Sequence, residues 1–124
     1  MPSAEFACDA TAVRAARLFV MDEAKPSGLD AEMVALLVSE LAANAVLHAR
    51  TPFTVEVDND ASMVRVAVTD GHASAPVLKA HSPSAVTGRG LRLVESVAER
   101  WGVEEHQGAG KTVWFEYLLT GEPA

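Results

Sequence analysis

The sequence predicts an α+β fold: a two-layer sandwich with about three helices on one face of a mixed, mainly antiparallel sheet. Three observations predict it. Several short segments alternate apolar and polar residues with the period of two that belongs to half-buried strands. One long segment, Leu29–Ala49, carries no Lys or Arg and is apolar around most of a helical circumference, so it must be largely buried. The elements follow the order βααββ, a long loop, then αββ, with neighbouring strands able to pair antiparallel.

Taken in order, Glu5–Cys8 reads as a short first strand. Asp9 or Thr11 can then cap a helix with Val13, Ala16, Val20 and Ala24 on one side, and Pro26-Ser27-Gly28 stops it. Asp30 is suited to N-cap the second helix, which runs to about His48. Phe53, Val55 and Val57, then Val64, Val66 and Val68, alternate with polar or small residues on either side of Asn59-Asp60-Ala61-Ser62, which reads as a hairpin. Gly71–Thr87 has no periodicity, and irregular stretches of that length are often lids or binding loops. A third helix begins after Gly88, with Leu91, Val94, Val97, Ala98 and Trp101 on one face. Two strands, near Trp101–His106 and Thr112–Leu119, flank the turn Gln107-Gly108-Ala109-Gly110. The rings of Trp101 and Trp114 are expected in the core, and Cys8 is expected to be an ordinary buried thiol.

Composition bounds the function. A chain of 124 residues, 49% of them hydrophobic, fits a single domain over residues 1–124 with one real core. Ten basic residues against seventeen acidic ones give a net charge of −7, and the basic residues form no run, which argues against nucleic acid or an anionic membrane as partner. Cys8 is the one cysteine, so a disulfide framework and a multi-cysteine zinc site are excluded. With no leader-like start and no long apolar run, the protein is expected in the cytoplasm.

Glu40, Asn44 and His48 fall at i, i+4 and i+8 along one stripe of the second helix, which is apolar on most of its circumference. Either Glu40 and Asn44 reach a solvent edge or a neighbouring loop, or they face a cavity holding a hydrated metal and phosphate, for which Asn offers a carbonyl oxygen and Glu a carboxylate. Spacing alone does not decide. Asp70, at a strand end, is an acceptor suited to an exocyclic amine such as adenine N6. Gly88-Arg89-Gly90-Leu91 opens a helix, where glycines permit close approach to phosphate and free N–H groups favour it. Gly108-Ala109-Gly110-Lys111-Thr112 is not a P-loop: position 105 is Glu where a glycine is needed, and Thr112 begins a strand. Lys111 could approach phosphate but reads rather as a solvated strand-end lysine. His48 reads as a structural hydrogen-bonding residue, and His72 and His81 as surface residues of the lid.

Ser39-Glu40-Leu41-Ala42-Ala43-Asn44-Ala45-Val46-Leu47-His48-Ala49 resembles the N box of the GHKL ATP-binding superfamily, which includes DNA gyrase, heat-shock chaperones, sensor histidine kinases and MutL. Asp70 resembles that superfamily's first glycine box and Gly88-Arg89-Gly90-Leu91 its second. The short chain and the ending Gly110-Lys111-Thr112-Val113-Trp114-Phe115-Glu116 look most like the anti-sigma-factor serine/threonine kinase branch (RsbW-like), in its actinobacterial form. The resemblance covers essentially the whole chain and implies the Bergerat ATP-binding sandwich. It implies ATP and Mg²⁺ as cofactors, Glu40 as general base or water-positioning carboxylate, Asn44 as Mg²⁺ ligand and Asp70 as adenine contact. Gly88, Arg89, Gly90 and Leu91 would border the triphosphate, and Thr112 would sit near the adenine. The partners it implies are an anti-anti-sigma-type protein substrate, a sigma factor, and a second copy in a homodimer. One departure is plain: where the superfamily commonly has Asp-x-Gly-x-Gly, this chain has Asp70-Gly71-His72-Ala73-Ser74. The adenine carboxylate is kept while the lid hinge differs, which leaves open a nucleotide-gated binding module with little kinase activity.

Overall fold

The computed structural model describes residues 2–71, 93–106 and 110–120, apart from the side chains of His48 and Ala49. Its strands are β1 (Ser3–Phe6), β2 (Phe53–Asn59), β3 (Met63–Asp70), β4 (Arg100–His106) and β5 (Gly110–Leu118). Its helices are α1 (Thr11–Ala24), α2 (Gly28–Asn44) and α3 (residues 93–97). The sheet order is β1-β2-β3-β5-β4, with every neighbouring pair antiparallel. The parallel pairing that a mixed sheet would contain is absent among the described residues. The elements otherwise follow the predicted order, and the long loop and the lid histidines 72 and 81 lie outside the described residues.

The inner face of the sheet explains the alternation. Phe53, Val55 and Val57 of β2, Val64, Val66 and Val68 of β3, and Val113, Phe115 and Tyr117 of β5 all enter one core. Ala12, Ala16 and Val20 of α1, Val34, Leu37, Val38, Leu41 and Ala42 of α2, and Val94 of α3 close it from the helical layer. Because successive strand side chains point to opposite faces, the residues between them form an outer face. There Glu116 meets Arg65 at 3.2 Å and Arg100 at 3.0 Å. Trp101 packs against the core as expected. Trp114 does not: its place between the inward-facing Val113 and Phe115 puts it on the outer face, with the Arg65 guanidinium 4.3 Å from the ring centroid. The ring lies so close over Gly102 that a Cβ there would fall 2.9 Å from it. Cys8 is half-buried, its thiol 3.6 Å from the Val46 carbonyl.

The helix starts differ from expectation in an informative way. At α1 the Asp9 carboxylate accepts from the Ala12 amide at 3.1 Å, so the expected capping residue does the work from just outside the helix. At α2 the N-cap position is Ser27, and Asp30 sits one turn inside, buried at 3% exposure. Its carboxylate accepts from the Tyr117 hydroxyl at 2.9 Å and from the Thr120 amide and hydroxyl at 3.1 and 2.8 Å. A contact 87 positions away in sequence thus overrides the local capping role and ties the end of β5 to the start of α2. Burial, and then the hydrogen bond to the Asp30 anion and its charge, push the Tyr117 hydroxyl from its ordinary value near 10 up to about 12. A folded-state pKa raised in this way stabilises the fold fully below about pH 10 and stops doing so as the pH rises through about 12. Alkaline unfolding followed by circular dichroism should therefore be steeper between those limits in the wild type than in Tyr117→Phe. Equal slopes would contradict the assignment.

Candidate functional site: the shared end of the second helix and the third strand

The N-box helix ends where the sheet offers its strand ends. After Asn44 the chain widens into a π-helical turn, Ala45–Ala49, and closes at Arg50 with φ 60°. π-Helical turns of this kind occur frequently at functional sites. Arg50, Thr51 and Pro52 then lead directly into Phe53, which is paired with Asp70 across the hairpin. The Thr51 hydroxyl accepts from the Gly71 amide at 3.0 Å and holds the two ends together. The C-terminal end of α2 and the C-terminal end of β3 are consequently at the same end of the sandwich. This short connection is what brings Asn44 and Asp70 to one region.

Around α2 the polar residues divide by flank. Ser39 accepts from Arg17 of α1 at 3.0 Å and donates to the Ala35 carbonyl at 2.8 Å, which marks the side covered by α1. Glu40 and Asn44 are turned from Ser39 by about 100° and 140° around the helix, onto the opposite flank. Both are half-buried. Among the described residues the one buried side-chain oxygen without a hydrogen bond is Glu116 Oε1, and it faces the Arg100 guanidinium.

Asp70 is buried at 5% exposure, on the helix-facing side of β3. Its partner in register is Lys111, buried at 6%, whose ammonium donates to Asp70 Oδ2 at 2.7 Å. The solvated strand-end lysine expected from the sequence is thus an internal cation. Its burial follows from register, since Asp70 and Lys111 continue the inner-face series of Val68 and Val113. Thr112, expected near the adenine, is on the opposite face of the sheet from Asp70 for the same reason. Its hydroxyl lies 2.8 Å from that of Thr69 and 2.7 Å from His106 Nε2. Lys111 is the residue that sequence reasoning missed. The available signal was the strict alternation of Val113, Phe115 and Tyr117, which puts Lys111 rather than Thr112 on the inner face.

Gly110 completes this end of the sheet. It has φ +102°, and a Cβ built on it would lie 1.9 Å from the Asp70 carbonyl oxygen. Only glycine permits both the conformation and the approach. Gly88, Arg89, Gly90 and Leu91 lie outside the described residues, as does the side chain of His48.

The residues present also suit the divalent ion that the resemblance implies. Among the described residues no group of three or more His, Cys, Asp and Glu side chains could cage a metal. Mg²⁺ characteristically needs no such cage: it keeps several waters and is held by one or two protein oxygens together with substrate phosphates. Asn44 supplies an amide oxygen of that type on the accessible flank of α2, one turn beyond Glu40.

A helical layer over one face of an antiparallel sheet, with Asn44 and the strand-end carboxylate of Asp70 toward one end, is consistent with a Bergerat-type sandwich. The family comparison gives the same class: the histidine kinase-like ATPase domain model matches residues 6–117. This chain belongs to the histidine kinase-like ATPase family, an ATP-binding domain class. No curated protein matches the chain. Among the described residues no helix is long and apolar enough to cross a membrane.

Proposed function

We propose that this chain is a Mg-ATP-binding anti-sigma regulatory factor that phosphorylates a serine or threonine of an anti-anti-sigma-type partner, and that its output is binding and inhibiting a sigma factor. One observation carries the ATP-site part of the reading: the α2–β2 connection and the Phe53–Asp70 pairing bring the N-box end of α2 to the strand end that bears Asp70. The partner class and the RsbW-like branch rest on the resemblance of the N box and of the ending Gly110–Glu116.

In this reading Asp70 accepts from the adenine amine, and Gly88, Arg89, Gly90 and Leu91 border the triphosphate. Glu40 accepts the proton of the partner's hydroxyl as its oxygen bonds to the γ-phosphorus and the bond to the β-phosphate oxygen breaks, releasing ADP. Asn44 would hold Mg²⁺, which supplies neutralisation of phosphate charge when bound. Catalysis is then mostly positioning and electrostatics. Thr112 takes no part in the base pocket, because it is on the other face of the sheet. A homodimer and a cytoplasmic location belong to the same proposal. The test is to incubate the purified chain with Mg-ATP and a candidate anti-anti-sigma partner: phosphoserine or phosphothreonine on the partner is expected, and its absence across cognate partners would sink the kinase reading.

A second reading is favoured by the buried Lys111–Asp70 pair and by the missing later glycines of Asp70-Gly71-His72-Ala73-Ser74. In it the chain is a nucleotide-gated protein-binding module with little turnover, in which ATP orders a segment and so creates or hides a protein surface. It is distinguished by ATP binding without ADP accumulating over hours in the presence of the partner.

A further inference from the structure

The Lys111 ammonium is 2.7 Å from Asp70 Oδ2, and both side chains are more than nine-tenths buried. An ammonium and the exocyclic amine of a base are the same kind of partner for a carboxylate: each donates N–H to oxygen. They differ in strength, since the hydrogen bond from the ammonium is charge-assisted and that from the neutral amine is assisted by one charge only. We infer that Lys111 sets the nucleotide affinity of this domain by occupying, at Asp70, the donor position that the base would take. The inference rests on the reading of Asp70 as the base contact and deepens it.

The backbone that carries Lys111 is fixed in place. Gly110 brings the start of β5 against the Asp70 backbone, with no room even for a methyl group between them. The pairing of Asp70 with Lys111 is one rung of a continuous β3–β5 ladder from Met63↔Leu118 to this end, so β5 cannot shift by one residue without turning its core valine and aromatics outward. A buried cation drawn off its carboxylate also loses its compensation and must reach water or another anion. A base entering the pocket therefore competes with an internal ligand held in register. Nucleotide binding through Asp70 Oδ2 is weakened by that competition.

The experiment is calorimetric titration of Mg-ATP into the full chain as wild type and as Lys111→Met, which retains an unbranched stem and removes the donors. Lys111→Met is expected to bind at least tenfold more tightly, and the gain is expected to disappear in Asp70→Asn/Lys111→Met. Equal or weaker binding by Lys111→Met overturns the inference alone. If neither protein binds ATP at millimolar concentration, the ATP-site reading falls and the inference with it. Should Lys111→Met fail to fold, as a circular dichroism melt would reveal, the wild type still decides. The Lys111 ammonium ¹⁵N resonance should move when Mg-ATP saturates the protein, whereas a resonance unmoved while others shift overturns the inference.

Discussion

Glu40→Ala is expected to slow phosphorylation of the partner by about 10²–10⁴-fold, the usual contribution of a positioned general base, while leaving Mg-ATP affinity little changed. The asymmetry follows from the placement of Glu40. It is on the flank of α2 away from α1, half-buried, one turn before Asn44, so it can meet the reacting hydroxyl without contacting the base. Its removal also opens no core cavity, because the core-facing residues of this part of α2 are Leu37, Val38, Leu41 and Ala42. Single-turnover transfer from ATP, followed by phosphoserine detection, measures the first quantity and calorimetry the second. Unchanged transfer in Glu40→Ala would remove Glu40 from catalysis. A parallel loss of affinity and folding would make it structural instead.

Gly110→Ala should be the most damaging single-methyl change in the described part of the chain. The alanine would have to adopt φ near +102° and place its Cβ 1.9 Å from the Asp70 carbonyl oxygen, so backbone must move. Backbone strain of about 1–3 kcal/mol and forced overpacking of about 1–3 kcal/mol together predict a destabilisation of roughly 2–6 kcal/mol. That is a large share of a typical total of about 5–15 kcal/mol. The displaced backbone carries Asp70, so surviving protein should also show altered ATP affinity. Thermal unfolding by circular dichroism and calorimetry check the two effects. A melting temperature within a degree or two of the wild type would mean that β3 and β5 are not in this close contact.

Local pattern made much of this legible in the sequence. The alternations of β2 and β3 predicted their inner faces, and the run of α2 without Lys or Arg predicted its burial. The family was recognisable from Glu40, Asn44, Asp70 and the Gly88–Leu91 motif taken in order. What misled was non-local or a matter of register. Asp30 reads as an N-cap because its local sequence suits one, yet Tyr117 and Thr120 claim its carboxylate across the sandwich. Trp114 reads as core by residue type, yet its parity on β5 sends it to the outer face against Arg65. Lys111 reads as solvated because lysine usually is, and Thr112 as the base neighbour because of the resemblance. A one-residue difference in parity exchanges their faces. Wherever one residue's side of a strand decides its role, counting from the buried neighbours is more reliable than residue type.

In the proposed function the shared end of α2 and β3 holds Mg-ATP, with Asn44 on the metal and Asp70 on the base. Calorimetric titration of ATP with and without Mg²⁺, on wild type, Asn44→Ala and Asp70→Asn, tests it most directly. The account predicts that Mg²⁺ strengthens ATP binding by the wild type, that this strengthening is lost in Asn44→Ala, and that Asp70→Asn binds more weakly with or without the metal. Wild-type affinity in both variants, equally responsive to Mg²⁺, would contradict it.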